Sequence, residues 1–263
     1  MKILVCLKQI LDPEIPVRDF QIDSSGLQAD LTGANMVTNV FCENALEMAL
    51  QLRDTESEGE ITVISVGGEE VEDTLRKALA MKADHAVRID APNPNPTDAL
   101  AMARLLAAAV GHLGGFDPIL LGRESGDWGL GLTGPYLAEV LGCPLVSFVD
   151  DIQRDGGQFQ FRRQTDDGWE RYASSPPMVV TVTNSEANLP RIPKTRDIMK
   201  SSRKPIATLN PSELGVEPSV AGIAVESLSI PESSVTCDIV DGDSLDEKVD
   251  QLAERIAEVV KGV

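Results

Sequence analysis

Basic residues are scarce in this chain. Of 263 residues, 23 are Lys or Arg against 42 Asp or Glu, a formal net charge of −19 at pH 7. Nucleic-acid binding draws its affinity from a basic footprint on phosphates, so no DNA or RNA partner is expected. The same imbalance sets the chain against anionic membrane surfaces. Histidine is rarer still, with only His85 and His112. The four cysteines, Cys6, Cys42, Cys143 and Cys237, lie far apart without a Cys-x-x-Cys spacing. A His/Cys metal site therefore lacks a ligand set and no metal is expected; the cysteines read as small buried hydrophobes. Two histidines also leave little from which to build a Ser-His-Asp or Cys-His nucleophile. Long apolar runs are missing too. The most apolar stretch, residues 99–110, is too short to cross hydrocarbon and is broken by Arg104. The opening residues have neither the length of a signal-peptide core nor a small-residue cleavage site. No membrane span and a cytoplasmic location are expected.

What is present is apolar material for one large or two smaller cores. Residues 2–8 form a short apolar run suited to a buried parallel strand. A long polar connection follows, and helix signals begin near Asn39, with Leu46, Ala49 and Leu50 on one face. Strands at 60–66, 85–89 and 117–121 alternate with helices near 71–79, 98–113 and 135–141. Thr97 or Asp98 is placed to cap the second of these helices, and Gly142 to end the third. This rhythm predicts an α/β fold, a mostly parallel open sheet with helices on both faces. Residues 146–152, 159–163 and 178–182 alternate between turns such as Asp155-Gly156-Gly157 and predict an antiparallel extension of that sheet. No period is clear over 184–204. In the tail, Val249, Leu252, Ile256 and Val259 make one apolar helical seam that needs cover, from its own domain or from another subunit.

The densest chemical signal is residues 122–135, Gly-Arg-Glu-Ser-Gly-Asp-Trp-Gly-Leu-Gly-Leu-Thr-Gly-Pro, between a strand and a helix at the carboxyl end of the sheet. Ligands bind there in open α/β sheets. Thr133 or Gly134 would cap the helix and Pro135 would sit in its first turn. Free amides and the helix dipole favour an anion such as phosphate. Without Gly-Lys-Ser/Thr or a strict G-x-G-x-x-G, the loop is neither a Walker loop nor a Rossmann fingerprint. Nucleotide binding and an ordinary loop before a capped helix both remain open on spacing alone.

Four stretches, in order over residues 1–205, resemble the beta subunits of electron transfer flavoproteins. Residues 2–12, Lys-Ile-Leu-Val-Cys-Leu-Lys-Gln-Ile-Leu-Asp, look like the family's opening strand. Residues 39–47 resemble its Asn-Pro-Phe/Tyr-x-Glu-x-Ala segment, residues 75–84 its Arg-x-Ala-Leu-Ala-Met-Gly-Ala-Asp segment, and residues 190–200 its Pro-Arg…Ile-Met-Lys signature. The resemblance implies an adenine-nucleotide alpha-hydrolase-like fold paired with an alpha subunit. The heterodimer would carry a shared FAD, accept electrons from an acyl-CoA dehydrogenase type of donor, and pass them to a quinone reductase or similar acceptor. That is an electron carrier rather than an enzyme in itself. The alternatives are an electron-bifurcating variant, with a second FAD in place of AMP and NADH oxidation in this subunit, and a non-redox adenine-nucleotide-binding module. By resemblance the nucleotide, AMP or a second FAD, would be held by Cys6, Asn39, Val40, Phe41, Cys42, Val66, Glu124, Ser125, Gly126, Asp127, Gly129, Gly131, Leu132, Thr133, Gly134 and Pro135, with no catalytic residue in the carrier.

The chain departs from the family at Gly129 and Leu132, where an acid and a Gln are usual, and carries bulky Trp128 and Leu130 beside them. Lys82 stands where the family has a glycine after a helix, a position that calls for positive φ, so a different turn is expected. Residues 191–204 hold six basic residues against one acid, a local reversal of the chain's charge. The resemblance places partner docking over 184–204, at Leu189, Pro190, Arg191 and Lys194. The expected organisation is a nucleotide-binding α/β domain over 1–205 and a tail, 206–263, whose helix packs on the partner subunit.

Overall fold

A computed structural model defines the fold and describes residues 1–56, 59–92, 94–216, 222–231 and 237–261. The chain divides into two compact units, Met1–Leu228 and Ser229–Val263. The first is organised by β1 (Lys2–Cys6), in which Ile3, Leu4 and Val5 are all fully buried. Consecutive side chains of a strand point to opposite faces, so a run of buried positions needs cover on both. Ile3 and Val5 join one core with helices α1 (Val40–Thr55) and α2 (Glu72–Ala80). Leu4 and Cys6 join a second core with α3 (Ala99–His112) and α4 (Thr133–Leu141).

The remaining strands are β2 (Gln9–Leu11), β3 (Met36–Thr38), β4 (Glu60–Gly67), β5 (His85–Asp90), β6 (Pro118–Gly122), β7 (Leu145–Asp155), β8 (Gln158–Thr165), β9 (Gly168–Ser174), β10 (Met178–Val182) and β11 (Ala207–Leu209). Among the described residues, nine of the eleven strands form one sheet in the order β11-β5-β4-β1-β6-β10-β7-β8-β9, while β2 and β3 pair separately. From β1 the chain moves outward to β4 and β5, then returns through α3 to β6 on the other side of β1. The direction of winding reverses between β1 and β6, which opens a crevice at their carboxyl ends.

The expected α/β sheet is present, with one correction. Residues 178–182 do not belong to the antiparallel extension: β10 lies inside the parallel sheet between β6 and β7. All five of its residues, Met-Val-Val-Thr-Val, are buried, as a continuous apolar run on a central strand requires. The antiparallel part is β7–β8–β9, whose last strand had no expectation attached to it because six of its seven residues are polar, aromatic or glycine and none is buried. Residues 207–209 give the sheet its edge strand, past the expected end of the α/β domain at 205. Helix α5 (Thr195–Ser201) also formed without a period in the sequence; Arg76 donates to the carbonyls of Ser201 (3.0 Å) and Lys204 (2.5 Å) at its end.

The turn at Lys82 is not the different turn expected for a lysine: it has the positive φ that a glycine would take. Lys82 has φ +85°, the Lys82 N–H bonds Leu79 O and the Ala83 N–H bonds Ala78 O. That is a Schellman ending of α2 with lysine in the left-handed position. Neighbours hold it there: Arg53 donates to Lys82 O (2.9 Å) and to the Asp84 carboxylate (3.0 Å), and Lys204 donates to Ala83 O (2.9 Å).

In the second unit, α6 (Leu245–Lys261) carries the expected seam. Val249, Leu252, Ile256 and Val259 are each about half exposed or more, and no residue of the helix is buried.

Candidate nucleotide crevice and loop clamp

The crevice at the ends of β1 and β6 encloses about 660 Å³, within the range of small-molecule sites. Its back wall is Cys6, Leu121 and Gly122, and its side is the loop that runs from β6 into α4. Gly122 is dictated by packing: a Cβ there would come 2.8 Å from Phe41 Cβ, so the end of β6 touches the start of α1. Gly134 is similar, since its Cβ would meet Thr181 Cγ2 at 2.3 Å, and its absence lets α4 begin directly on β10.

Two residues pin the loop. Asn39 sits at the N-cap of α1 but makes no capping bond with its side chain. It is fully buried and its Nδ2 donates to Glu124 O (2.8 Å), while Oδ1 accepts from the Gly126 N–H (3.1 Å). Lys8, two residues past β1, donates from Nζ to both oxygens of Asp127 (2.8 Å) and to Ser125 Oγ (3.2 Å). The Asp127 carboxylate also accepts from the Trp128 N–H. Arg123 turns the other way, paired with Glu124 (2.9 Å) and stacked on Phe41, 4.6 Å from the ring centroid.

Helix α4 starts at Thr133, two residues earlier than the sequence predicts, and Leu132 is its N-cap with no side-chain bond. Pro135 has no N–H, so the uncapped donors of the first turn belong to Thr133 and Gly134, both in the crevice wall. Uncapped amides at the positive end of a helix dipole suit an anion. At the back wall, burial pushes the Cys6 thiol well up from its ordinary value, with Cys42 adding to it. Burial also raises Cys42, against a smaller lowering by the hydrogen bond from Asn39. Both thiols stay neutral and make a small apolar floor.

Of the residues expected at a nucleotide, Cys6, Asn39, Cys42, Val66, Glu124, Ser125, Gly126, Asp127, Gly131, Leu132, Thr133 and Gly134 come together around this crevice. Val40, Phe41, Gly129 and Pro135 lie outside its lining: Val40 is exposed, Phe41 lies under Arg123, Gly129 turns the loop with φ +61°, and Pro135 stands inside the first turn of α4. The sequence reading missed Lys8, Ile10, Phe20 and Leu31, which also line it. The last two come from the long connection over residues 12–35; its length was the available signal, because long loops without repetitive structure are frequently functional.

The expected docking segment is held by a polar stripe on α1. Asn44, Glu47, Gln51 and Asp54 recur at helical spacing on one face. Asn44 Nδ2 donates to Asn188 O (3.0 Å) and Gln51 Nε2 to Ala187 O (2.9 Å). Arg191 does not stand free as a surface cation. Its Nε and Nη2 bond the Glu47 carboxylate at 2.8 and 2.9 Å, its backbone N–H adds a third bond at 3.1 Å, and Nη1 reaches Asp54 at 3.0 Å. Lys194 is exposed, as are Leu189 (67 %) and Ile192 (90 %).

No described helix is long and apolar enough to cross a membrane, and the described residues hold no group of three His, Cys, Asp or Glu fit for a metal. The electron transfer flavoprotein domain matches residues 27–214. The electron transfer flavoprotein subunit beta of Mycobacterium bovis is 32 % identical over 230 residues, 84 % of each chain. The mitochondrial one of Oryza sativa subsp. japonica is 33 % identical over 255 residues, 96 % of this chain and 97 % of its own. That of Clostridium acetobutylicum is 29 % identical over 261 residues, 99 % and 98 % of the two chains. A domain match over most of the length, and relatives above 30 % identity along nearly the whole chain, place it in the electron transfer flavoprotein family, among the beta subunits.

Proposed function

We propose that this chain joins an alpha subunit in a heterodimer that carries FAD, takes electrons from a dehydrogenase and hands them to a quinone reductase or similar acceptor. When bound, the flavin supplies the redox chemistry. This chain supplies the scaffold, an adenine-nucleotide site and a docking surface. The observation that carries the reading is the crevice at the switch point between β1 and β6. The donor set there fits a nucleotide: uncapped amides at Thr133 and Gly134 for a phosphate, and neutral Cys6 and Cys42 with Val66 and Ile10 for an apolar base. AMP is the occupant proposed for the simple carrier.

Leu189 and Ile192 project from a segment tied to α1, with Lys194 beside them. Such a pre-ordered apolar anchor in a polar rim suits a brief electron-transfer contact. The exposed seam of α6 is proposed to pack on the alpha subunit.

The test is the nucleotide content of the chain purified with its alpha subunit, released by denaturation and separated against FAD and AMP standards. One FAD and one AMP per heterodimer are expected. Two FAD and no AMP would replace AMP by flavin in the crevice. Absence of flavin would overturn the carrier reading.

A further inference from the structure

The charged groups around the crevice are unevenly matched. Its described lining holds two cations, Lys8 and Arg123, against four carboxylates, Asp12, Glu70, Glu124 and Asp127. Arg123 is committed: it pairs with Glu124 and its guanidinium lies between the rings of Phe41 and Phe148, 4.6 and 5.7 Å from their centroids. Lys8 is the remaining positive charge, and its ammonium is bound to both Asp127 oxygens and to Ser125. The lining therefore offers an anion the amides of Thr133 and Gly134, and a cation only where Lys8 turns from Asp127. The Lys8 side chain is about one-third exposed and its ammonium stands on a flexible stem, so it can change partner without moving the backbone.

We propose that Lys8 sets the preference of this crevice for phosphorylated over unphosphorylated nucleosides, and that Asp127 and the phosphate compete for its ammonium. The inference rests on the nucleotide reading given above. It makes Asp127 a competitor of the ligand, although the loop that carries Asp127 forms the site.

The experiment titrates the full-length chain, freed of nucleotide, with AMP and with adenosine by calorimetry. Lys8→Met is expected to weaken AMP roughly tenfold, the worth of one hydrogen bond to a charged group, and to leave adenosine within about twofold. Asp127→Asn keeps a side-chain acceptor for the Trp128 N–H but frees the cation, and AMP is expected to bind a few-fold tighter with adenosine unchanged. Lys8→Arg should retain most of the preference, which guards against a Lys8→Met variant that fails to fold. If Lys8→Met and Asp127→Asn weaken both ligands alike, the pair only ties the loop and the proposal is wrong. If the unaltered chain binds AMP no better than adenosine, the proposal is wrong while the nucleotide site stands. If it binds neither AMP nor adenosine, nor FAD in a third titration, the nucleotide reading itself falls, and this inference with it.

Discussion

Replacing Arg191 by alanine tests the clamp between α1 and the docking segment. Glu47 is 4 % exposed and lies on α1 beside the core residues Leu46 and Met48. Three hydrogen bonds from Arg191 satisfy its carboxylate. The alanine variant keeps only the backbone N–H and leaves a buried charge nearly unpaired. Breaking a buried ion pair from one side costs about 3–5 kcal/mol. The Arg191 side chain is 29 % exposed, so water can reach part of the vacated space; about 2–4 kcal/mol is the corresponding expectation. Urea unfolding followed by far-UV circular dichroism should show a lower midpoint with an unchanged slope. Glu47→Gln in the Arg191→Ala background removes the unpaired charge and should recover about 1–2 kcal/mol, so the two substitutions will not add. Amide exchange over residues 187–192 should quicken in the single variant. A loss below about 0.5 kcal/mol, or additive effects, would mean that the pair behaves as a solvent-screened surface bridge and does not hold the segment.

Lys82→Gly should stabilise the chain by about 0.5–1 kcal/mol, since relief of left-handed strain outweighs the added freedom of the unfolded chain, whereas Lys82→Ala should change little; equal midpoints for glycine and lysine in urea would refute the strain. Asp98 caps α3 by accepting from the Ala101 N–H (2.9 Å) and also accepts from the Gly222 N–H (2.9 Å), so Asp98→Ala should cost about 1–2 kcal/mol in the same assay. Because burial raises the Cys6 and Cys42 thiols in the folded chain, their contribution to stability is intact below the ordinary thiol range and declines as pH rises above it, where the unfolded chain sheds protons first. At pH 8, iodoacetamide should therefore modify exposed Cys237 and spare Cys6 and Cys42 until denaturant is added; rapid labelling of Cys6 in the folded chain would contradict the neutral, closed floor.

The elements legible in the sequence are those with a strong local cause. An apolar run made β1, a helical period with Asp98 at its head made α3, and Gly142 in the left-handed region ended α4. The glycine-rich loop could be placed at the carboxyl end of a strand because the order of elements already fixed that end. Less legible were features that depend on distant residues. The run at 178–182 read as an extension strand, but its position between β6 and β7 follows from burial on both faces and from pairing with residues some sixty and thirty positions away. Arg191 read as one cation of a basic segment, and only the folding of α1 against that segment brought Glu47 to it across 144 positions.

The amino-acid order by itself determined the α/β class, the family, the loop that lines the crevice and the scarcity of groups for metal or hydrolytic chemistry. Each of these resides in composition, spacing or local conformational preference. Tertiary structure decided which charges are free and which are spent. Lys8 meets Asp127, Arg191 meets Glu47, and Arg123 is taken by Glu124 and two aromatic rings. It also decided that Lys82 holds a glycine's conformation, because Arg53 and Lys204 fix the peptide groups around it. Ion pairs and backbone strain depend on through-space distances of a few ångströms between segments far apart along the chain, and no local pattern encodes those distances.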